Sequence, residues 1–215
     1  MMKNVTKDLL QKYIENHKFI GEIKEDVIKA FLILDESFKQ GGKLLICGNG
    51  GSAADADHIV GELLKGFTKQ RPLTEEQRNL YLQFGDLGME LAKKLQGSLP
   101  AINLCAHTSL LTAVINDIGG EEVYAQQVVG YGNEGDILLG ISTSGNSKNV
   151  INAGMVSKVQ YLKTIALTGK SGGKMAELFD VAIKVPSTIT CDIQDMHSII
   201  YHLLCAMLEL ERWEV

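Results

Sequence analysis

The run KLLICGNGGS at residues 43–52 carries the strongest structural signal in this chain. Its apolar part stops abruptly at the glycine-rich turn GNGGS, residues 48–52, and a helix-compatible segment begins at Ala53. A strand, a glycine turn and a helix N-terminus in this order form an anion-binding site. The glycines let the backbone approach a ligand, and the first-turn N–H groups point towards it. The Ser52 hydroxyl can add a further donor.

Two nucleotide-binding motifs do not fit this turn. It lacks the G-x-G-x-x-G spacing of the dinucleotide fingerprint, and no Gly-Lys-Ser/Thr follows it as a nucleotide P-loop requires. We therefore predict no nucleotide cofactor. A tight strand-to-helix turn that binds nothing stays open as an alternative, and the rest of the chain has to decide between the two.

Length and composition favour one α/β domain with helical additions. The chain has 215 residues, 22 glycines and a formal charge of −5, and it is long enough to bury a core. The negative charge gives no general attraction to nucleic acid or anionic membranes. No apolar run approaches the roughly 20 residues of a membrane span, and the N-terminus lacks the apolar core of a secretory signal. We expect a cytoplasmic protein without nucleic-acid or membrane partners.

The cysteines are scattered along the chain without a C-x-x-C pair. They stand at Cys47, Cys105, Cys191 and Cys205, mostly in apolar contexts. This distribution predicts reduced thiols in a cytosolic protein, with disulfides or metal ligands as the alternative.

Apolar segments alternate with helical patterns along the rest of the chain. Strands are predicted at residues 43–47, 100–104, 136–141, 162–167 and 181–185. The alternation predicts an α/β fold, a three-layer αβα sandwich around a central parallel sheet. In such sheets ligands bind beyond the C-terminal ends of the strands. We also predict N-terminal helices within residues 1–41 and a long C-terminal helix from Asp192 to about Trp213.

The segment 68–98 is the least regular part of the chain. Pro72 breaks the preceding helix, and Thr74 is a predicted N-cap for a helix over about residues 75–96, bent near Gly85 or Gly88. This helical insertion could be a lid, an oligomer contact or a packing decoration.

A second strand-to-turn unit lies at residues 136–147. Its nearly all-apolar strand runs into STSGNS at residues 142–147, and a helix follows. Four hydroxyls and a glycine would offer O–H and N–H donors to one anion, which suits a sugar phosphate. Because such turns also occur for capping alone, the motif by itself leaves both interpretations open. Both turns follow strand ends, so we expect them to meet at one site.

Two helices carry ionisable side chains on shared faces. His58 and Glu62 are i and i+4 on the helix that follows the glycine turn. Gln194 and His202 lie eight residues apart on the C-terminal helix, about 80° around its axis. A solvated polar face is the alternative for the first pair, but the neighbouring anion site favours function.

Together these stretches resemble the SIS (sugar isomerase) fold and, within it, the phosphoheptose isomerases. The residues that carry the resemblance are GNGGSAADADH at 48–58, GISTSGNS at 140–147, LTGKSGGKMA at 167–176 and IQDMH at 193–197. The resemblance covers the chain apart from residues 68–98 and implies a single SIS domain over residues 1–215. It also implies an aldose–ketose isomerase that makes D-glycero-D-manno-heptose 7-phosphate from sedoheptulose 7-phosphate. Such enzymes work as homotetramers with active sites shared between subunits.

The resemblance implies roles for individual residues. Glu62 would transfer the enediol proton, with His202 as its acid/base partner. The predicted phosphate ligands are Ser52, Ser142, Thr143, Ser144 and Ser147, and the further substrate-binding positions are Asn49, Gly50, Gly51, Asp117 and Gln194. Some members bind zinc through positions that match His58, Glu62, Gln194 and His202. Zn²⁺ is therefore a candidate cofactor, and a site without metal is the alternative.

The chemistry calls for these residue types independently. Moving a carbonyl from C2 to C1 needs a base for the proton α to the carbonyl and an acid at the oxygens. A carboxylate and an imidazole on opposite sides of a cleft can do both. A divalent metal would polarise the carbonyl, although glutamine is a weak zinc ligand.

Two non-catalytic classes are the alternatives. One relative of this fold binds a bacterial replication initiator and lacks the glutamate and the second histidine. This chain has both Glu62 and His202, which favours an enzyme over a phosphosugar-binding or replication-initiator-binding module. Transcription regulators that sense sugar phosphates carry an added DNA-binding module, for which this acidic chain has no room.

Three departures from the family pattern concern the sugar end of the site. Lys65-Gly66 stands where the family often has Gly-Arg, so Lys65, Lys69 or Arg71 would have to supply the cation. Cys191-Asp192 replaces an aspartate–arginine or alanine–arginine pair, and the segment 68–98 is longer than in compact members. The sequence therefore determines phosphate binding better than it determines the identity of the sugar.

Overall fold

A computed structural model describes residues 2–213 of the chain. The strands are β1 Leu44–Gly48, β2 Ala101–Asn103, β3 Ile137–Ser142, β4 Lys163–Thr168 and β5 Val181–Lys184. They form one sheet in the order β2-β1-β3-β4-β5, in which all neighbours are parallel. The predicted αβα sandwich with a central parallel sheet is confirmed, and each strand lies where the sequence predicted one.

Helices precede, connect and follow these strands. They are α1 Asn4–Asn16, α2 Phe19–Glu22, α3 Lys24–Lys39, α4 Gly51–Leu64, α5 Glu75–Leu80, α6 Gly85–Lys94, α7 Thr108–Asp117, α8 Val123–Tyr131, α9 Lys148–Val159, α10 Gly173–Leu178 and α11 Thr190–Arg212. None of the helices within residues 2–213 combines the length and the apolar character needed to cross a membrane. The four cysteines are free thiols, as predicted.

Apolar side chains fill both faces of the sheet because successive strand residues point to opposite sides. On β1, Leu44 and Ile46 join the core under α1, α3, α4 and α11, whereas Leu45 and Cys47 join the core under α7 to α10. All five β1 residues are buried. Fully burying a leucine or isoleucine stabilises the fold by about 1.5–3 kcal/mol. These two cores hold the strands rigidly beneath the loops that follow them.

The strand order places the two predicted ligand turns side by side. The chain passes from β1 to β2 on one side and then returns to β3 on the other, so the order reverses between β1 and β3. Gly48 at the end of β1 is in register with Ile141 near the end of β3. Ligands of open α/β sheets bind at such a reversal, beyond the carboxyl ends of the strands.

The insertion forms two short helices with a 3₁₀ turn, Tyr81–Phe84, between them. The Thr74 side chain accepts from the Gln77 N–H at 3.2 Å, and the Gln77 side chain accepts from the Thr74 N–H at 3.0 Å. This capping box confirms the predicted N-cap of α5. Gly85, with φ of +59°, interrupts the helix at one of the two predicted bend positions.

Both ends of the insertion meet at a narrow neck. Pro72 pairs with Gln96 in an antiparallel bridge, and the Gly97 N–H donates to the Arg71 carbonyl at 2.6 Å. Beyond this neck, the insertion helices pack chiefly against one another. They leave large apolar side chains in solvent, among them Leu87 at 80% exposure.

Candidate active site

The first wall of the site is the glycine turn between β1 and α4. Gly50 has φ of +57°, a backbone conformation that favours glycine, and α4 begins one residue later. A Cβ atom on Gly51 would lie 2.4 Å from the Gln194 Nε2 atom. The Gln194 side chain of α11 therefore packs directly on the turn, and a side chain at position 51 would displace its amide. Ser52 is buried in the first turn of α4, the end of the helix at which the backbone N–H groups are free to donate.

Side chains from the neighbouring helices hold this turn in place. The Tyr124 hydroxyl of α8 donates to the Gly48 carbonyl at 2.5 Å. Asn49 and Asn149 exchange two amide hydrogen bonds of 2.9 Å, which join the glycine turn to the first turn of α9. Sequence reasoning missed Tyr124 and Asn149. No pattern identifies Tyr124, whereas Asn149 stands only two residues beyond the hydroxyl-rich turn.

The second wall is the hydroxyl-rich turn after β3. The Ser142 and Ser147 hydroxyls lie 2.9 Å apart and share a hydrogen bond. Thr143 and Ser144 line a cavity of about 240 Å³, together with Lys170 of the turn that follows β4. A Cβ atom on Gly145 would lie 2.0 Å from the Gly172 carbonyl oxygen, so these two turns are in direct contact. The structure thus groups the predicted serine and threonine ligands.

Asp117 lies at the end of α7 and makes no hydrogen bond to either turn in the described part of the chain. It is an exposed residue, and its carboxylate accepts from the Asn116 side chain at 2.8 Å. Its predicted role in substrate binding stays a prediction.

The predicted acid/base residues lie close to one another. His58 Nε2 is 3.3 Å from Glu62 Oε1 on the same face of α4. His202 of α11 places its Nε2 atom 3.4 Å from His58 Nε2. The other Glu62 oxygen, Oε2, is buried without a hydrogen-bond partner and has Lys65 Nζ 3.8 Å away. This carboxylate is therefore free to accept a proton.

Two aromatic rings pack against the half-buried side chain of His202. Phe67 stacks on its ring with centroids 5.5 Å apart, and Tyr201 contacts it edge-on at 4.7 Å. Burial, and then the nearby His58 charge, lower the pKa of His202 below its ordinary value, while Glu62 opposes the shift. A lowered pKa keeps the imidazole neutral near pH 7, so that it can both give and take a proton.

His58 contacts two of the other predicted zinc ligands, Glu62 and His202. The His58–Glu62 and His58–His202 separations of 3.3 and 3.4 Å equal the edge of about 3.3–3.4 Å between two ligands of tetrahedral zinc. Two imidazoles and a carboxylate suit zinc chemically. However, no three His, Cys, Asp or Glu side chains in the described part of the chain form a complete metal-binding group, and Gln194 lies at Gly51. The donor chemistry fits zinc, while the full set of four is not assembled here.

Arg71 is not available to the substrate. It is fully buried, and its guanidinium donates to Glu209 Oε1 at 2.7 Å and to the Leu63 and Glu62 carbonyls at 2.7 and 2.9 Å. Arg71 therefore caps the last turn of the helix that carries His58 and Glu62. Of the three cations considered for the sugar end, Lys65 has its ammonium 3.8 Å from the Glu62 carboxylate.

His197, in the quoted IQDMH motif, is a core residue. Its side chain is fully buried, and both ring nitrogens lack a hydrogen-bond partner of good geometry. Burial lowers the pKa of His197 to about 4, with a smaller opposing effect of the Thr168 backbone. The imidazole is neutral at physiological pH and packs beneath the end of β4.

Comparison with known proteins gives a consistent result. The family model of the SIS domain matches residues 11–92 and 87–169. The chain is 41% identical to the phosphoheptose isomerase of Nitratiruptor sp., over 97% of this chain and 98% of the relative. It is also 41% identical to the Helicobacter pylori phosphoheptose isomerase, over 94% and 95% of the two chains.

Two solved structures extend this similarity to three dimensions. The Neisseria gonorrhoeae phosphoheptose isomerase has a TM-score of 0.71 at 32% identity and covers 96% of this chain and 99% of its own. The Francisella tularensis phosphoheptose isomerase has a TM-score of 0.72 at 32% identity, with coverages of 96% and 98%.

Proposed function

This chain belongs to the SIS domain family and, within it, to the phosphoheptose isomerases, and we propose that it interconverts sedoheptulose 7-phosphate and D-glycero-D-manno-heptose 7-phosphate. It is an intramolecular oxidoreductase that acts on a phosphosugar. The observation that carries the proposal is the contact of Glu62 and His202 with one imidazole, His58, on the helix α4 that begins at the glycine turn. We propose that the N-terminal donors of this helix bind the anion and that Glu62 and His202 are the acid/base pair.

The phosphate end binds to the two turns. Ser52 and the first-turn N–H groups of α4 supply donors from one side, and Ser142, Thr143, Ser144 and Ser147 supply hydroxyls from the other. Because the turns are short and fixed by packing, the donors are preorganised and lose little freedom on binding. Phosphate anchoring then places the sugar carbonyl near Glu62 and His202.

Proton transfer proceeds through an enediol. The Glu62 carboxylate removes the proton from C1 of the ketose, the electron pair forms the C1–C2 double bond, and O2 takes a proton from the acid. The neutral His202 imidazole moves the proton between the two oxygens. Glu62 then returns its proton to C2 as O1 becomes the aldehyde. No atom is gained or lost, so the reaction needs no redox partner.

We also propose Zn²⁺ as a cofactor, held by His58, Glu62 and His202 with Gln194 as the predicted fourth ligand. When bound, it would polarise the carbonyl and stabilise the enediolate. Elemental analysis of protein that is stripped with a chelator and reloaded with zinc tests this directly. Stoichiometric zinc in wild-type protein and its loss in His58→Gln support the site, whereas equal zinc in both proteins contradicts it.

We further propose a cytoplasmic homotetramer that shares active sites between subunits. Asp117 supports the sharing, because this predicted substrate ligand is exposed and makes no hydrogen bond to either turn within residues 2–213 of its own chain. Mixing inactive Asp117→Ala and Glu62→Gln subunits should restore part of the activity if one site draws on two chains. Light scattering gives the number of subunits. A monomer, or mixed subunits that stay inactive, would contradict sharing.

Turnover of a panel of ketose and aldose phosphates, followed by NMR, tests the reaction. We expect wild-type protein to isomerise the seven-carbon ketose phosphate. Glu62→Gln and His202→Asn should each lower kcat by about 10²–10⁴-fold while they retain phosphosugar binding. The matched controls are Glu90→Gln and His17→Asn, outside the site. Near-wild-type turnover in either site variant would exclude the acid/base assignment, and binding without any turnover would favour the non-catalytic module.

A further inference from the structure

We propose that Tyr201 and Asp55 are positioning residues that hold His58 as the tautomer with its proton on Nδ1 and its lone pair on Nε2. The catalytic consequence of this arrangement rests on the proposed isomerase function. The tautomer itself can be measured without any substrate.

Asp55, Tyr201 and His58 form a short hydrogen-bonded chain, here called the relay. The Tyr201 hydroxyl lies 3.3 Å from Asp55 Oδ1 and 3.2 Å from His58 Nδ1. Tyr201 is buried on α11, and its ring packs edge-on against the His58 ring with centroids 5.5 Å apart. The hydroxyl is therefore fixed between the carboxylate and the imidazole.

The number of protons that each group can donate determines the donor and the acceptor in these two hydrogen bonds. A tyrosine hydroxyl has one proton to donate, and an ionised carboxylate can only accept. The bond to the charged acceptor is the stronger one, so the proton points to Asp55. The Tyr201 oxygen must then accept from His58, which places the imidazole proton on Nδ1. Asp55 Oδ2 is buried without a partner, so Tyr201 is its main source of compensation.

The lone pair of His58 Nε2 consequently faces the cleft. It can accept from the His202 Nε2–H at 3.4 Å, but it repels an ionised Glu62 Oε1 at 3.3 Å. Once Glu62 has taken the C1 proton of the ketose, its new O–H can donate to His58 Nε2. His58 thereby stabilises the protonated carboxyl that exists only between the two proton transfers. The same lone pair is the one that a metal ligand must present.

Nitrogen-15 NMR of histidine-labelled, metal-free protein tests the tautomer. At neutral pH, with the His58 signals assigned by their loss in His58→Gln, we expect a protonated Nδ1 and a bare Nε2. Tyr201→Phe keeps the ring packing but removes the relay, so the His58 signals should move towards a mixture of tautomers. Tyr131→Phe, on α8, is the control and should leave them unchanged. A wild-type His58 protonated on Nε2, or an unchanged tautomer in Tyr201→Phe, would overturn the proposal.

Kinetics separate the positioning role from a structural one. Tyr201→Phe and Asp55→Asn should lower kcat by about 10–100-fold, the usual effect of a residue behind the reacting groups, and change KM by less than about threefold. Equal losses in KM and kcat would indicate general disorder of the site instead. If the tautomer shifts as expected but wild-type protein turns over no sugar phosphate, the positioning inference stands and the proposed function fails.

Discussion

Replacing Glu209 by glutamine should unfold this protein at a markedly lower temperature. Glu209 is fully buried near the end of α11, and its carboxylate is the meeting point of five donors. It accepts from the N–H groups of Phe67, Thr68 and Lys69 at 2.8–2.9 Å, from the Thr68 hydroxyl at 2.5 Å and from Arg71 Nε at 2.7 Å. These bonds fix the chain that leaves α4, the helix that carries His58 and Glu62.

The expected loss of stability depends on which buried charged or polar group each substitution leaves without its partner. Glu209→Gln keeps the shape but leaves the buried Arg71 charge uncompensated and turns an NH₂ group towards N–H donors. Removing one partner of a buried pair costs about 3–5 kcal/mol, which corresponds to a fall in Tm of roughly 6–20 °C for a chain of this size. Arg71→Met should cost less, because Glu209 retains its other four donors.

Urea unfolding measures both losses, and a single fixed protein concentration keeps the contribution of subunit association comparable between the variants. The control is Glu90→Gln, which breaks the exposed Glu90–Lys94 pair and should cost less than about 1 kcal/mol. The reasoning is refuted if Glu209→Gln costs no more than this control, or if Arg71→Met costs more than Glu209→Gln.

Three further perturbations test other parts of the structure. Ser52→Ala combined with Ser144→Ala should weaken binding of sedoheptulose 7-phosphate but not of sedoheptulose, and calorimetry that gives equal affinities for the two sugars in wild-type protein would contradict the phosphate site. Tyr124→Phe removes the hydroxyl donor of the Gly48 carbonyl, which retains the weaker Cys105 thiol donor, so it should lower stability by about 0.5–1.5 kcal/mol and raise KM more than it lowers kcat. For His197, the folded pKa of about 4 lies below the unfolded value of about 6.5, so protons bind the unfolded chain preferentially between these values. Its contribution to stability is full above pH 6.5 and falls by about 3 kcal/mol as the pH drops to 4. His197→Leu should flatten that decline in urea titrations, and an equally steep decline would reject the explanation.

Local sequence signals were sufficient for the fold and for the two turns. Apolar runs that end in glycine or hydroxyl residues define the strands, and helical spacing brings His58 and Glu62 onto one face. The contact of His58 with His202 needs two helices about 140 residues apart in the chain to cross at the right angle. The sequence indicates such a contact only through resemblance to a family.

The sequence contains no detectable pattern for the side chains that contact the site residues without contacting the substrate. Tyr201 and Asp55 form their pair only after α4 and α11 have packed. Arg71 was a candidate substrate cation because the chain lacks the family's usual arginine at residues 65–66, yet Arg71 is completely buried and its charge is compensated by Glu209. Whether such a side chain is buried or exposed depends on partners that are distant in sequence. These partners cannot be identified from composition or residue spacing.

Residues 73–95 of the insertion can be replaced as a unit, because the two ends of this segment meet at the neck. The segments that enter and leave the insertion already pair at Pro72 and Gln96. Arg71, which caps α4, precedes this pair and therefore lies outside the replaced residues. A cassette of any length that begins and ends a few ångströms apart can join these points with little extra loop-closure cost. A reporter domain or a binding peptide could therefore replace the insertion helices α5 and α6, while the strands of the sheet keep their register.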